Sequence, residues 1–288
     1  MKFFELHPLS LILFFVSAIA FTMITMNPVL LLLSFLCGFL ANAFISKGRD
    51  LWIYLFLIAI IGITNPVFSH NGETVLFYLF DQRFTLEALV YGFMSGIRIV
   101  SVIYWFRLFG VVFKQDKLNW ILGKVSPKLS VVFSMALRFI PLVKKNAKDI
   151  YNAQISMCSF KKDTLSGKFQ LVFNVFSALV SMSIENAIDT ADTMRSRGFE
   201  NKNRTAYSLF SFRVKDIIFM AITIIDDILI TYFLFSGIAS FYYYPSMYFS
   251  GNDNKALVLY AAFAMLCALP MINDFTEDLR WKYSISKI

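Results

Sequence analysis

Long apolar runs with almost no charge constrain the fold of this chain more than any other feature. Six such runs lie at residues 9–25, 28–45, 51–68, 87–113, 217–235 and 256–271. They are 16 to 27 residues long, around the roughly 20 residues that a helix needs to cross the hydrocarbon core of a bilayer. Hydrophobic residues make up 58% of the 288 and charged residues only 16%, whereas soluble domains carry about a quarter charged residues. The sequence therefore predicts an all-α polytopic membrane protein with about six transmembrane helices.

Cysteine and histidine are too sparse to form a metal site. Cys37, Cys158 and Cys267 lie far apart, and neither His7 nor His70 has a partner at metal-binding spacing. We therefore expect no metal and no disulfide framework.

A short segment, Ser166-Gly167-Lys168-Phe169, resembles a phosphate-binding loop only superficially. Position 162 is lysine, and position 169 is not serine or threonine, so the glycine and the hydroxyl that cradle phosphate and magnesium are missing. No nucleophile–base pair is recognisable elsewhere. We therefore expect a non-catalytic chain without a cofactor of its own, and ATP and magnesium, if they power it, to be bound by other chains.

Charge divides the chain into three parts. From Lys114 to Asp216 there are 17 Lys or Arg against 8 Asp or Glu, and the apolar residues come in stripes instead of blocks. The predicted domains are residues 1–113 with transmembrane helices 1–4, residues 114–216 as an inserted cytoplasmic helical domain, and residues 217–288 with transmembrane helices 5–6 and a charged tail.

Lysine and arginine also predict the orientation, because they accumulate on the cytoplasmic side of membranes. With the inserted domain inside, all 27 basic residues except Arg83, Lys255, Arg98 and Arg107 lie on the cytoplasmic side. The first two are then outside and the last two lie within the fourth helix. We expect a multi-pass protein with both termini in the cytoplasm.

Local patterns predict how the helices are joined and packed. Asn27-Pro28 predicts a tight turn between the first two runs. Gly92 and Gly96, four residues apart, allow a second helix to approach closely. Residues 242–244, all tyrosine, are typical of an aromatic belt at the membrane interface.

Charged residues within the apolar runs are costly and therefore need partners. Arg98 is predicted to form a structural ion pair with Glu87, or with the adjacent acids Asp226 and Asp227 of the fifth run. The alternative is an ion relay through Arg98, Asp226 and Asp227, as in a secondary transporter.

The inserted domain is predicted to contain two long helical segments. Leu129–Cys158 is interrupted at Pro141, which cannot donate a backbone hydrogen bond. Lys168–Arg197 has an apolar stripe at three- and four-residue spacing and ends before Gly198, a residue that accepts a left-handed conformation without steric cost.

Arg195 and Arg197, which flank Ser196, then lie at the carboxyl end of the second segment, where the helix dipole favours positive charge. In the simplest interpretation they only complement the dipole and anionic lipid. The inserted domain as a whole could lie on lipid, act as an enzyme or bind soluble partners. We expect no nucleic-acid binding, because the basic residues face a membrane and its partners.

Several segments, in order along residues 65–205, resemble one family, the transmembrane T component of energy-coupling factor transporters, also called the cobalt-permease family. The matching segments are Asn65–His70, Phe84–Gly92 with Arg98, Met135–Pro141 with Arg138, Ala153-Gln154, and Ala191–Phe199 followed by Arg204-Thr205.

The resemblance implies a membrane scaffold in a bacterial or archaeal plasma membrane. Such a scaffold joins two cytoplasmic ABC ATPases to a small substrate-binding membrane subunit, for uptake of a vitamin or a transition-metal ion. In this family each of two crossing cytoplasmic helices presents an arginine to one ATPase. Arg197, between Ser196 and Gly198, matches the second of these motifs. Three residues after Gln154, where the first arginine is expected, this chain has Met157. Either one ATPase is then engaged by packing and by the nearby Lys161 or Lys162, or the two ATPases are different chains with unlike grooves.

Overall fold

The computed structural model describes residues 3–46, 51–69, 72–79, 82–157, 165–199, 210–238, 240–249 and 254–285. The chain divides into two compact units. The bundle unit comprises Met1–Lys114 and Phe210–Ile288, and the inserted unit comprises Gln115–Leu209.

Helices dominate both units. Those of the bundle unit are α1 (Pro8–Ile24), α2 (Pro28–Ser46), α3 (Leu51–Phe68), α4 (Leu86–Val112), α8 (Val214–Phe235) and α9 (Asn254–Ile285). Those of the inserted unit are α5 (Gln115–Val125), α6 (Pro127–Ser156) and α7 (Leu165–Ser196). All six predicted apolar runs are helical, which confirms the predicted fold class.

Two short antiparallel hairpins complete the bundle unit. Strand β1 (Val75–Leu79) pairs with β2 (Gln82–Thr85), and β3 (Phe241–Tyr242) pairs with β4 (Tyr248–Phe249). The first hairpin lies in the connection between α3 and α4.

Four helices among the described residues are long and apolar enough to cross a membrane: α4, α7, α8 and the first 22 residues of α9. Helices α1, α2 and α3 contribute shorter apolar segments. Helix α7 belongs to the inserted unit, which the sequence places in the cytoplasm. Length and apolar composition therefore support a multi-pass membrane protein but do not by themselves give the number of spans.

Helix α4 lies at the centre of the bundle unit, where it packs against α1, α2 and α3, while α9 packs against α2 and α8. Phe14 of α1 contacts Trp105 of α4 edge to face, with ring centroids 5.8 Å apart. The indole nitrogen of Trp105 donates to Ser34 Oγ at 3.0 Å, and Ser34 pairs with Thr22 Oγ1 at 2.8 Å. These three polar side chains therefore satisfy one another, as a dry interior requires.

Close contact between α3 and α4 depends on glycine. A Cβ atom on Gly92 would lie 2.7 Å from the carbonyl oxygen of Gly62 and 2.8 Å from Asn65 Cβ. A Cβ atom on Gly96 would lie 3.1 Å from the carbonyl oxygen of Ile58. The predicted close approach of a helix at these two glycines is confirmed.

The helices of the inserted unit pack in pairs and bury few side chains, unlike those of the bundle unit. Helix α5 packs against α6, where Ser130 Oγ donates to the carbonyl oxygen of Asn119 at 2.8 Å, and α6 packs against α7. In α6 and α7 as described, Val175 is the single buried residue.

Helix α6 continues through Pro141, so the predicted interruption is wrong. A proline removes one backbone donor and leaves the carbonyl four residues earlier without its helical partner. Pro141 lies on the exposed side of α6, where that loss costs least because solvent or a partner can replace the bond.

Candidate coupling site and intramembrane charges

The carboxyl end of α7 is closed by a glycine-dependent cap. Gly198 has a φ angle of 77°, in the left-handed region. The Gly198 N–H donates to the carbonyl of Arg195 at 2.9 Å, and the Phe199 N–H donates to the carbonyl of Met194 at 3.1 Å. This pair of bonds is the Schellman motif, in which a left-handed residue ends the helix. The helix end predicted at Gly198 is confirmed.

The cap holds two arginines at the surface. Arg197 is exposed and directly precedes Gly198, so its side chain leaves the end of the helix. Arg195 lies 3.9 Å from Asp192 in an ion pair whose side chains are both 70% exposed. Ser196 Oγ donates back to the carbonyl of Thr193 at 2.9 Å. The backbone of this end is thus satisfied internally, and its positive charge faces outward.

The carboxyl end of α6 is apolar by comparison. Met157 caps the helix through its backbone N–H, which donates to the carbonyl of Ala153 at 3.1 Å, and its side chain is 71% exposed. Gln154 is half-buried one turn earlier, and Arg138 is exposed near the middle of the helix. The two helix ends therefore offer different chemistry, a thioether on α6 and guanidinium groups on α7.

Helices α6 and α7 contact each other well before their ends. Asn146 Nδ2 of α6 lies 3.7 Å from the sulfur of Met182 of α7. At 1.5 Å per residue, Met157 follows that contact by about 16 Å and Arg197 by about 22 Å along their helices. Each end therefore projects beyond the contact.

An open apolar groove of about 430 Å³ lies along the α6–α7 contact. Its lining residues are Val143, Phe176, Leu179, Val180, Ser183, Ile184 and Ala187. The adjoining side chains Phe169, Val172 and Phe173 are between 62% and 77% exposed. We call the groove and these three residues the α7 apolar face.

Glu87, the first predicted partner of Arg98, is used elsewhere. It is buried near the start of α4, where its carboxylate accepts from Thr74 Oγ1 at 2.7 Å and from the Thr74 N–H at 3.2 Å. Gly72 makes room for this contact, since a Cβ atom there would lie 2.5 Å from Glu87 Oε2. Glu87 thus links the segment that precedes β1 to the first turn of α4.

Arg98 forms no ion pair with any carboxylate among the residues that the structure describes, so the predicted pairing with Glu87, Asp226 or Asp227 is wrong. Its Nη1 donates to the sulfur of Met26 at 3.5 Å. Arg107, nine residues later, donates to Tyr54 Oη at 3.1 Å. The two arginines have separate partners, as their positions on one helix require.

Tyr243 lies close to Arg98 on the loop between α8 and α9. Its hydroxyl donates to the carbonyl of Met26 at 2.8 Å. Burial raises the pKa of Tyr243 to about 12, and the nearby charge of Arg98 acts in the opposite direction. Tyr243 is therefore a neutral donor at physiological pH.

Asp226 and Asp227 face different surroundings, because adjacent helical residues point about 100° apart. Asp227 Oδ2 accepts from Ser17 Oγ of α1 at 2.6 Å. Asp226 is 5% exposed and its Oδ2 has no hydrogen-bond partner among the described residues. Nothing in the structure explains why an acid stands at position 226.

Three features of the site were not predicted from the sequence: helix α5, the Thr74–Glu87 contact and the Ser17–Asp227 contact. The signal for Glu87 was present, since Thr85 caps α4 by accepting from the Ala88 N–H at 3.4 Å and Glu87 lies in the first turn. In the part of the chain that the structure describes, no group of three His, Cys, Asp or Glu side chains could hold a metal ion. His70, Arg204 and Thr205 of the matching segments lie outside the described residues.

Comparison with known proteins decides the family. A family model described as cobalt transport protein, CbiQ, matches residues 1–207, about seven tenths of the chain. The chain belongs to the CbiQ family. The resemblance to the T component of energy-coupling factor transporters is thereby confirmed.

Individual relatives of this chain agree with this family assignment. This chain is 26% identical over 198 residues to an energy-coupling factor transporter transmembrane protein, EcfT, of Lactobacillus helveticus, with 66% of this chain and 64% of that protein covered. It is 23% identical over 229 residues to the EcfT protein of Bacillus selenitireducens, covering 71% and 82%. The match thus spans slightly less than two thirds of the Lactobacillus protein.

Proposed function

We propose that this chain is the transmembrane coupling component of an energy-coupling factor importer. It connects two cytoplasmic ABC ATPases with a separate substrate-binding membrane subunit, for uptake of a vitamin or a transition-metal ion. ATP is hydrolysed on the partner chains, and the substrate is recognised by the membrane partner. The observation that carries the proposal is that α6 and α7 bury almost nothing within this chain and end in exposed tips.

The arginine at the end of α7 fits an ATPase contact. A guanidinium group offers a planar fork of donors that fixes both distance and orientation against a carboxylate. The Schellman cap at Gly198 fixes the backbone from which the Arg197 side chain leaves. Movement of an ATPase that holds Arg197 is therefore transmitted to α7 as a movement of the whole helix.

The end of α6 fits a different surface. Met157 presents a flexible apolar side chain, which packs against irregular apolar surfaces and makes no charged hydrogen bonds. An arginine cannot be replaced by methionine at a site that binds its fork of donors. We infer that the two ATPases are non-identical chains with unlike binding grooves.

The α7 apolar face fits the membrane partner. Monomeric soluble surfaces rarely expose apolar patches of this kind, and such patches mark protein or membrane contacts. The substrate-binding subunit is itself a membrane protein and offers an apolar surface of matching character. Cytoplasmic termini and a plasma-membrane location complete the proposal and rest on the lysine and arginine distribution.

The proposal is tested by replacing Arg197 in the assembled transporter. We expect Arg197→Ala to weaken binding of one ATPase or to uncouple ATP hydrolysis from uptake, at a cost of about 2–5 kcal/mol if the contact is desolvated. Co-purification of the ATPases and uptake into proteoliposomes measure the two effects. Arg195→Ala is the matched control, because Arg195 already pairs with Asp192. Unchanged assembly, hydrolysis and uptake in Arg197→Ala would remove the assignment.

An ion-coupled secondary transporter is the alternative. It needs a charge path through Arg98, Asp226 and Asp227, but no contact joins Arg98 to either acid among the described residues. Uptake by this chain alone, abolished when the proton or sodium gradient is dissipated, would establish that alternative. We expect no uptake without the ATPases.

A further inference from the structure

The surroundings of Arg98 leave strong hydrogen-bond donors without acceptors. Tyr91, Ser95 and Arg98 follow one another at spacings of four and three residues, so they form one stripe on α4. Together with Met26, Leu31, Met94 and Tyr243 they border a shallow surface cleft, which encloses no cavity, at the turn between α1 and α2. Among the described residues, the hydroxyls of Tyr91 and Ser95 have no hydrogen-bond partner, and the acceptor for Arg98 is a thioether sulfur.

A thioether is a poor partner for a guanidinium group. Sulfur in methionine is a weak acceptor without charge, whereas arginine presents five donors that match a carboxylate or a phosphate. A cation within a membrane protein is costly unless it is paired or reaches the interface. The cleft is therefore suited to an anion.

The ends of neighbouring helices place the cleft at a membrane boundary. Ser17 of α1 bonds to Asp227 of α8, and each helix ends seven or eight residues after that contact. Both ends thus lie at the level of Met26, which Arg98 contacts. Helix α8 has 22 residues and is apolar enough to cross a membrane; its length of about 33 Å matches a hydrocarbon core of about 30 Å.

Aromatic residues mark the same level. The ring of Tyr91 lies 5.3 Å from that of Tyr243 and 5.6 Å from that of Tyr244. Tyrosine is enriched where lipid headgroups meet the hydrocarbon core. Helical side chains also point toward the amino end of their helix, so the guanidinium of Arg98 lies about one turn closer to this tyrosine cluster than its own backbone does.

We propose that Tyr91, Ser95 and Arg98 bind the phosphate group of a membrane phospholipid at the α1–α2 end of the bundle. The guanidinium neutralises the phosphate, the two hydroxyls donate to its oxygens, and the acyl chains lie against the apolar surfaces of neighbouring helices. The site belongs to the bundle unit alone and needs neither the ATPases nor the substrate-binding subunit. It is therefore independent of the proposed coupling function.

The test uses the purified full-length chain in detergent. Phosphatidylglycerol and a diacylglycerol with the same acyl chains are added separately, and retained lipid is counted by native mass spectrometry while the thermal unfolding midpoint is measured. We expect phosphatidylglycerol to be retained and to stabilise the chain, and diacylglycerol and inorganic phosphate to do neither.

Substitutions locate the site. Arg98→Gln should weaken phosphatidylglycerol retention about tenfold or more, because a charge-assisted contact is lost. Arg107→Gln is the matched control, since Arg107 already donates to Tyr54 on the same helix. Tyr91→Phe and Ser95→Ala remove only hydroxyl groups and should each weaken retention about threefold. They keep the proposal testable if Arg98→Gln does not fold.

Three results would overturn the proposal. Equal retention of phosphatidylglycerol by the unsubstituted chain and by all three site variants would show that the stripe is not the site. Equal retention of diacylglycerol would show that the phosphate is not recognised. A requirement for Arg98 that arises only in the assembled transporter would assign the arginine to a carboxylate of a partner chain.

Discussion

Phe14 and Trp105 of the bundle unit are fully buried, whereas Phe173 and Phe176 of the inserted unit are each 62% exposed. The bundle unit fills its interior with aromatic rings and internally paired hydroxyl groups. The helices α6 and α7 of the inserted unit carry apolar stripes but bury almost none of these side chains. The same residue types thus serve internal packing in one unit and leave a surface for partners in the other.

The strongest test of this contrast is a matched pair of phenylalanine truncations. Phe14→Ala should cost about 3 kcal/mol of unfolding free energy, because it leaves a cavity beside Trp105 and Phe219. Phe173→Ala should cost less than about 1 kcal/mol in the isolated chain and should weaken assembly with the membrane partner. Denaturant unfolding in micelles and co-purification measure the two effects. Equal destabilisation by both truncations would show that Phe173 of α7 is packed against other side chains of the isolated chain.

The second test concerns the contact between α3 and α4. Gly92→Ala places a Cβ atom against the carbonyl oxygen of Gly62, which is backbone and cannot move aside. We expect a loss of about 2 kcal/mol, measured by the same unfolding experiment. Gly110→Ala is the control, since nothing lies within 4 Å of its added Cβ. A neutral Gly92→Ala would mean that the two helices separate without cost.

A smaller effect is expected at Glu87. Glu87→Ala removes the acceptor for the Thr74 N–H and hydroxyl, so the hairpin between α3 and α4 should exchange its amide hydrogens about tenfold faster. Hydrogen exchange followed by mass spectrometry measures this locally. Glu73→Gln, on an exposed side chain of the same loop, should leave exchange unchanged. Faster exchange throughout α4 would instead indicate that Glu87 stabilises the whole bundle.

The smallest effect belongs to the inserted unit. Asp192→Asn breaks the ion pair with Arg195, but both side chains are 70% exposed. Exposed pairs contribute little, so the unfolding free energy should change by less than about 0.5 kcal/mol. A larger change would show that the tip of α7 is held by its own charges, which would weaken the case for a partner.

Backbone preferences made part of the site predictable. Gly198 ends α7 with a left-handed residue, and Gly92 and Gly96 allow close helix contact, because both properties follow from the missing Cβ atom wherever glycine occurs. The proline rule failed at Pro141, because an exposed helix tolerates the loss of one bond.

Pairing of charges was not predictable. Opposite charges in the apolar runs suggested that Arg98 pairs with an acid, but Glu87 is bonded to Thr74 and Asp227 to Ser17. Partners of this kind lie 13 and 210 residues apart in sequence. No local spacing selects among them.

The sequence by itself determined the helices, the membrane character and the family, because these follow from apolar length, charge distribution and short motifs along the chain. Only the tertiary structure decided which polar groups meet and which apolar faces remain uncovered. Arg98 beside Met26 and the exposed α7 apolar face both depend on which helices become neighbours. Which helices become neighbours depends on packing between segments that are distant in sequence, so no single segment predicts it.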